Sequence, residues 1–501
     1  MSRLWIACGF LVMGSAAAWS AEPPAVLTAR LLRPDEQCAR ILDLFRGARS
    51  PHPAAALAAW RRATGRNLNK GTEALVAVFN PAMIPELKTM DGATLVLRLD
   101  PADGHVRWSA TVPRDDGTFA ALATALALTD GAADTPVGAV PVDRLGPLGA
   151  PLMARQGERL ILAGGRDDLQ AALKLPPWNG TPNPTPGLFL RLEPGGLGTA
   201  GPVALRRTAE ALRALGCRDA LARAVVEDDA FAVEVTARVD DPADTAAIDP
   251  RWLDWAPADS ALAAIACTVD SRPEAWDRAF ALADRVERAD PARAGVAPLR
   301  TRLNLLAVAA KVRPEVDLWP LIRGVTVCAL ADQGEITGAL VALHTADDAA
   351  AARLAETTLP RLLASRTQPD ENAKPASAGR SLGRISGRPV GVAQRGATVV
   401  LGWGETALAR GLDTYDHPER SAGRLVSAAW GGPAPPRAGI LWPGRVRGLS
   451  GTTLALADVP PVLWWGRNEG RQTRDAIRWA GLRGLVRRFL DRLPLDPPPD
   501  H

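Results

Sequence analysis

The chain has 501 residues, of which 47% are hydrophobic, 23% charged and 5% aromatic. That composition excludes a disordered or fibrous chain, and the length accommodates about two to four domains. The formal net charge is +4, but only five of the 59 basic residues are lysines (Lys70, Lys88, Lys174, Lys311 and Lys374). A bias towards arginine over every surface explains that basicity better than a polyanion partner does, so no nucleic acid is expected.

Residues 1–20 read as a signal peptide, since Arg3 precedes an apolar run from Leu4 to Met13 and then small residues from Gly14 to Ala18. Ala18 and Ser20 suit cleavage after Ser20. The apolar run of ten residues is too short for a span, which needs about 20. No later stretch reaches 18 apolar residues, so an exported protein, periplasmic or secreted, is expected, with no transmembrane segment after cleavage. Cys8 is read as part of the signal. Cys38, Cys217, Cys267 and Cys328 remain; two disulfides with three connectivities are open to them, and Cys267 and Cys328 also suit small buried hydrophobes in strands. No pair has metal-ligand spacing.

Residues 21–186 read as a first repeat unit. A strand running to Phe79, an additional hairpin around Met83 to Leu99, and a strand Trp108 to Val112 lead to Asp115-Asp116 and a helix carrying Phe119 and Leu122. The turn at Gly157, a buried strand to Ala163 and a helix with Leu169 and Leu173 close the unit. Asn179-Gly180-Thr181 is formally a glycosylation acceptor and reads as a turn. Residues 187–250 form a connecting element: a helix from Leu205 to Leu215, then a hairpin of Leu221 to Val226 and Ala230 to Val239 turning at Glu227-Asp228-Asp229. Gly196-Leu197-Gly198-Thr199-Ala200-Gly201 matches a dinucleotide-binding pattern, but the preceding strand alternates polar and apolar residues and Pro194 and Pro202 flank the glycines. It reads as a glycine-rich connection, and no cofactor is expected.

Residues 251–421 read as a second repeat unit: a strand Leu262 to Val269, helices Glu274 to Arg288 and Leu299 to Ala310, a meander from Val325 to His344, and a helix from Asp347 to Leu363. The turn at Gly396, the strand to Trp403 and the helix with Leu408 and Leu412 match the closing segment of the first unit at a constant offset. Trp108–Val112 lies over Leu340–His344 in the same way, and Asp115-Asp116 over Asp347-Asp348. Both acidic pairs read as helix caps rather than carboxylate sites. Hairpins dominate, so the expected fold is α+β, with mainly antiparallel sheets, helices on one face and a C-terminal helical extension.

Residues 422–501 concentrate tryptophan and arginine and end in an amphipathic helix from about Thr473 to Leu493. Trp442, Arg445, Trp464, Trp465, Arg467, Arg483, Arg487 and Arg488 are the candidate interaction surface, a peripheral contact with an anionic membrane or a partner groove. The favoured reading is a terminal helix docked on its own protein with arginine stems covering the apolar rim. Histidines are few (His52, His105, His344, His417 and His501), and none pairs at helical spacing, so no metal is expected. Asp416-His417 beside Tyr415 and Glu419 reads as a surface turn. No nucleophile elbow, phosphate loop or H-E-x-x-H motif appears.

The duplicated pattern resembles a group of exported bacterial proteins of unknown function whose halves open with a Pro-Ala-Asp turn, here Pro257-Ala258-Asp259, and close with a strand-turn-helix like Thr398 to Leu412. The resemblance spans about residues 25–420 and implies no catalytic residues. The first unit lacks the opening turn. The expected function is a non-enzymatic protein that binds or scaffolds an envelope protein or ligand; the alternative is an exported hydrolase with a site between the units. The sequence identifies no catalytic residue.

Overall fold

The structure, a computed structural model, describes residues 25–65, 76, 78–99, 105–113, 132–144, 151–174, 185–193, 212–213, 217–239, 246–288, 296–332, 335–364, 366–369, 379–430, 432–445 and 459–492. The signal peptide, Asp115-Asp116, the glycosylation triplet and the Gly196–Gly201 run lie outside them, as does most of Leu205 to Leu215. The described residues divide into two compact units. Unit 1 takes those up to 209, 217–235 and 481 onward; unit 2 takes those from 210–216 and 236–480.

In unit 1 the central strand β1 (Ala25–Leu32) is followed by helices α1 (Pro34–Asp43), α2 (Pro53–Thr64) and α3 (Ile84–Thr89) and by β2 (Thr94–Leu99) and β3 (Val106–Val112). Next come β4 (Ala132–Val137), β5 (Val140–Arg144), β6 (Leu152–Gln156), β7 (Arg159–Ala163), α4 (Arg166–Lys174), β8 (Gly187–Leu192), and the hairpin of β9 (Cys217–Glu227) and β10 (Ala230–Val239), whose last residues fall in unit 2. Antiparallel pairing gives the order β4-β5-β6-β7-β3-β2-β1-β8-β9. Helix starts follow local chemistry. Proline opens α1 and α2, where its missing N–H is harmless, and the Ala55 N–H donates to His52 Nδ1 at 3.1 Å, capping α2. Leu169 and Ala172 of α4 pack on Val142, Leu152, Ala154, Ile161 and Ala163, which are all buried.

Unit 2 opens with β11 (Ala261–Thr268), α5 (Pro273–Arg288), α6 (Leu299–Ala309), β12 (Ile322–Asp332) and β13 (Glu335–Thr345). Helices α7 (Asp348–Arg353) and α8 (Leu359–Ala364) are joined by a π-helical turn, Leu354–Thr358. Then follow β14 (Arg380–Ile385), β15 (Arg388–Arg395), β16 (Thr398–Trp403), α9 (Ala407–Asp416), α10 (Ala422–Ala429), β17 (Arg437–Leu441), β18 (Val462–Glu469) and β19 (Gln472–Ala480). The antiparallel order is β14-β15-β16-β13-β12-β11-β17-β18-β19. One face carries Ala264, Ala266, Cys328, Leu330, Leu340, Ala342 and Val400, sealed by Trp255 and by α9 and α10 through Leu412 and Val426. The other carries Ile322, Leu343 and Val399 under Ala351, Leu354 and Leu359.

The fold is therefore α+β and antiparallel, but helices cover both faces of the unit 2 sheet rather than one. The cause is visible in Leu340-Val341-Ala342-Leu343, where both alternate sets are apolar and neither side suits water. Two other expectations are corrected. Val76 and Val78 are helical, so no strand runs through to Phe79; the strand that pairs with Trp108–Val112 is Thr94–Leu99. Thr473 to Trp479 is strand β19, not helix, because Gly470 at φ +59° closes a tight hairpin that hands the segment to the β18 ladder. The C-terminal helix spans Leu482–Arg492 and begins after Gly481, at φ +79°.

Candidate functional site

The eight tryptophan and arginine residues singled out from sequence are divided between the two units. Five lie in unit 2. Trp442 is buried in the core, and Arg445 stacks over its ring at 4.9 Å while donating to the carbonyls of Ala258 and Ala261. Trp464 and Trp465 point to opposite faces of β18, Trp465 against the core, and Arg467 donates to Pro433 O at 2.9 Å. The other three lie on the C-terminal helix in unit 1. Arg483 pairs with Asp43 at 2.6 Å and Arg487 donates to Arg46 O at 2.9 Å. Leu490 and Val486 pack on Phe45, Ala56 and Trp60, so this helix's apolar stripe meets its own unit. Arg488 has a partner as well.

The buried titratable groups of unit 2 hold the fold together. His344 is buried between three strands, stacked on Trp252 with ring centroids 4.2 Å apart. Thr326 Oγ1 donates to Trp252 O at 3.1 Å, so it accepts from His344 Nε2–H at 2.9 Å, and Thr398 Oγ1 donates to Nδ1 at 3.1 Å. Both ring nitrogens are satisfied and the imidazole is neutral, its pKa pushed down to about 3 by burial. Asp254 accepts from Ser421 Oγ at 2.6 Å at the start of α10; burial pushes its carboxyl up and that hydrogen bond opposes the shift. The four cysteines Cys38, Cys217, Cys267 and Cys328 are free thiols. Burial raises all four, Cys328 to about 12, so none of these four is a thiolate nucleophile at neutral pH.

The remaining sequence candidates are surface structure. His417 is half exposed, with Nδ1 2.9 Å from Asp413 O, and Asp347 caps α7 by accepting from the Ala350 N–H at 2.8 Å. Among the described residues, no three His, Cys, Asp or Glu side chains converge on a metal position. No helix among them is long and apolar enough to cross a membrane. A cavity of about 310 Å³ lies beside the π-helical turn, lined by Glu356, Arg380, Gln394, Arg395 and small apolar groups. Its polar groups are largely committed: Gln394 Nε2 donates to Asp348 O and Gly396 O, and Arg380 leans on Glu356 O at 3.5 Å.

The least explained chemistry lies on one sheet face of unit 1. Ala163, Ser109, Val96, Thr28, Arg191 and Leu221 sit opposite one another in successive strands and so share that face. Two residues along, Arg98 stands directly opposite Arg107, and at the other end Arg30 stands opposite Thr94. Arg98 is only 6% exposed, and its NH1 is buried with no hydrogen-bond partner. Arg107 NH1 lies 3.9 Å from Asp167, in the first turn of α4. Sequence reasoning missed this pair. The readable signal was the alternation Thr94, Val96, Arg98 on one side of a strand, which puts an arginine among inward positions.

No family model matches the chain, and no curated protein matches it. The solved structures to which it is similar include crystal form IV of TP0453, at 8% identity over 44% of this chain and 81% of that one, with a TM-score of 0.22. Crystal form III of TP0453 gives 7%, 44%, 82% and 0.23, and crystal form I gives 8%, 44%, 79% and 0.22. Similarity at that level carries no argument about this protein's fold or function.

Proposed function

We propose that this is an exported protein built from a duplicated α+β unit, which acts by binding or scaffolding at the cell envelope rather than by catalysis. Support for the duplication comes from strand register. The row Ala163, Ser109, Val96, Thr28, Arg191, Leu221 corresponds to Gly402, Leu340, Cys328, Ala264, Ile440, Leu463. The offset of 239 between the closing strands, carried through these pairings, sets Ser109 on Leu340. That is one residue from the match of Trp108 with Leu340 read from sequence, and it brings buried positions together. The β1–β2 ladder slips between Ala25 and Leu27, and the β11–β12 ladder between Ala261 and Ala263, at corresponding places.

The observation that carries the binding reading is what that register places at one core position. Ala25 opposes Arg98, while Ala261 opposes Leu330, which is 2% exposed in the unit 2 core. The fold accepts leucine there, so a buried arginine whose NH1 lacks a hydrogen bond is not a structural requirement. A buried N–H without an acceptor has a stability penalty of about 1–3 kcal/mol, and a role in holding a ligand would offset it.

Two measurements test the reading. Residues 1–30 fused to alkaline phosphatase are expected to give periplasmic phosphatase activity. Purified chain from residue 21 is expected to gain thermal stability from at least one class in a panel of small anions, sugars, peptides and detergents, without turning over ester, glycoside or phosphate substrates. Turnover, or no stabilisation by any class, refutes it.

A further inference from the structure

This inference rests on the binding reading and names the partner. We propose that the outer face of α6 docks on an anionic lipid surface, held by Leu305 and Val308 and guided by Lys311. A helix at a protein surface ordinarily turns an apolar stripe inward and a polar face outward. Helix α6 is apolar on both sides. On the inner side Ala307 is buried and Leu303 and Leu306 are partly buried, and the Leu299 N–H donates to Asp284 Oδ1 of α5 at 2.6 Å, which ties the start of the helix to its neighbour. On the opposite side, one turn apart, Leu305 is 67% exposed and Val308 76%. Among the described residues no other large apolar side chain is as exposed.

The charges around that face select the partner. Helix α6 contains no acidic residue, and its first-turn cations Arg300 and Arg302 are paired with Asp277 and Glu287 of α5. Lys311 follows the C-terminal end, is exposed, and makes no ion pair among the described residues; exposed Arg313 lies two residues further on. Glu315 is the opposing charge and comes after both cations. Lys311 also stands at φ +54°, with its N–H donating to Val308 O at 3.1 Å and the Val312 N–H donating to Ala307 O at 2.9 Å, a helix ending that ordinarily takes glycine. Its charge accounts for a lysine where glycine would fit without strain. Two aliphatic side chains are too little for a stable protein interface, which buries about 800 Å² per partner. They suffice at a membrane, where each inserts among acyl chains while a cation meets the lipid phosphates.

The test is co-sedimentation of the chain from residue 21 with vesicles of phosphatidylethanolamine and phosphatidylglycerol, against vesicles of phosphatidylcholine, at low salt. The unsubstituted chain is expected to bind the anionic vesicles about fivefold more tightly than the neutral ones, and less tightly as salt screens the charge. Leu305→Ser combined with Val308→Ser is expected to weaken binding by about tenfold or more and to leave the unfolding midpoint unchanged, since both side chains already face water. Lys311→Gly removes the charge and suits the left-handed backbone, so it is expected to keep or raise the midpoint and to weaken binding to anionic vesicles by about fivefold. No binding by the unsubstituted chain, equal binding to both lipids, or undiminished binding by the serine variant overturns the proposal. Self-association in sedimentation velocity that the serine substitutions abolish, without vesicle binding, also overturns it and gives the face to a second copy. Each of these failures leaves the binding reading standing wherever a ligand of the panel stabilises the chain.

Discussion

The sheet face capped by α4 in unit 1 and the face capped by α9 in unit 2 both belong to antiparallel sheets, yet they are lined with opposite chemistry. In unit 2 the row is Leu340, Cys328, Ala264 and Ile440, closed under Trp255 with almost no exposure. Small side chains at Ala264 and Ala266 let the bulky indole settle close to the sheet, and packing of this density has no place for a charge. In unit 1 the row across β3, β2, β1 and β8 reads Ser109, Val96, Thr28 and Arg191, with Arg30, Arg98 and Arg107 around it. Antiparallel pairing is satisfied by backbone groups, so it holds equally over either lining. The difference teaches that the ladder sets the architecture while the side chains on one face are free to specialise, one for closure and the other for charge.

The sharpest way to break that contrast is to move the charge. Leu330→Arg puts a guanidinium into the closed face of unit 2 and is expected to lower stability by about 4–5 kcal/mol, read as a large fall in the urea midpoint. A loss below about 1 kcal/mol would show that the unit 2 face is not closed. Acid probes the same core through His344. Its folded pKa of about 3 lies below the unfolded value of about 6.5, so the unfolded chain takes up the proton first. Stability from this group is complete above pH 6.5 and declines as pH falls towards 3, by up to about 1.4 kcal/mol per pH unit. Urea titrations between pH 7 and 4 should show that slope, and His344→Gln should flatten it; equal slopes would remove His344 from the account.

Smaller effects test the close packing and the caps. Gly324 lies under Trp252, where a Cβ would come within 2.1 Å of the indole ring. Gly324→Ala is therefore expected to destabilise by about 1–3 kcal/mol and to disturb tryptophan fluorescence, whereas an unchanged spectrum and midpoint would mean that the indole moves aside freely. Asp347→Ala, which removes the α7 cap without touching either sheet face, is expected to lower stability by about 1 kcal/mol and to leave the His344 acid profile unchanged.

Much of unit 2 was legible in its sequence. Strand β11, helices α5 and α6, the Val325 to His344 meander and the Asp347 cap carry clear periodicity, glycine turns or capping residues, all of them local signals. The Glu227–Asp229 hairpin turn was legible for the same reason. Reading failed where local signals conflicted. The Leu482–Arg492 stripe drew the helix back over Thr473 to Trp479, although alternation and Gly470 favoured a strand. Arginine partners were illegible for another reason: Arg445 and Arg483 look free in sequence, but each finds carbonyl or carboxylate acceptors on segments far away along the chain.

By itself the sequence determined that this is a globular α+β chain with antiparallel hairpins, because turn glycines, alternation and helix caps act over a few residues. Only the tertiary structure decided which alternate set of each strand faces inward, because a one-residue change of register exchanges the two sides. That choice makes Leu330 a core residue and buries Arg98, whose NH1 has no hydrogen-bond partner.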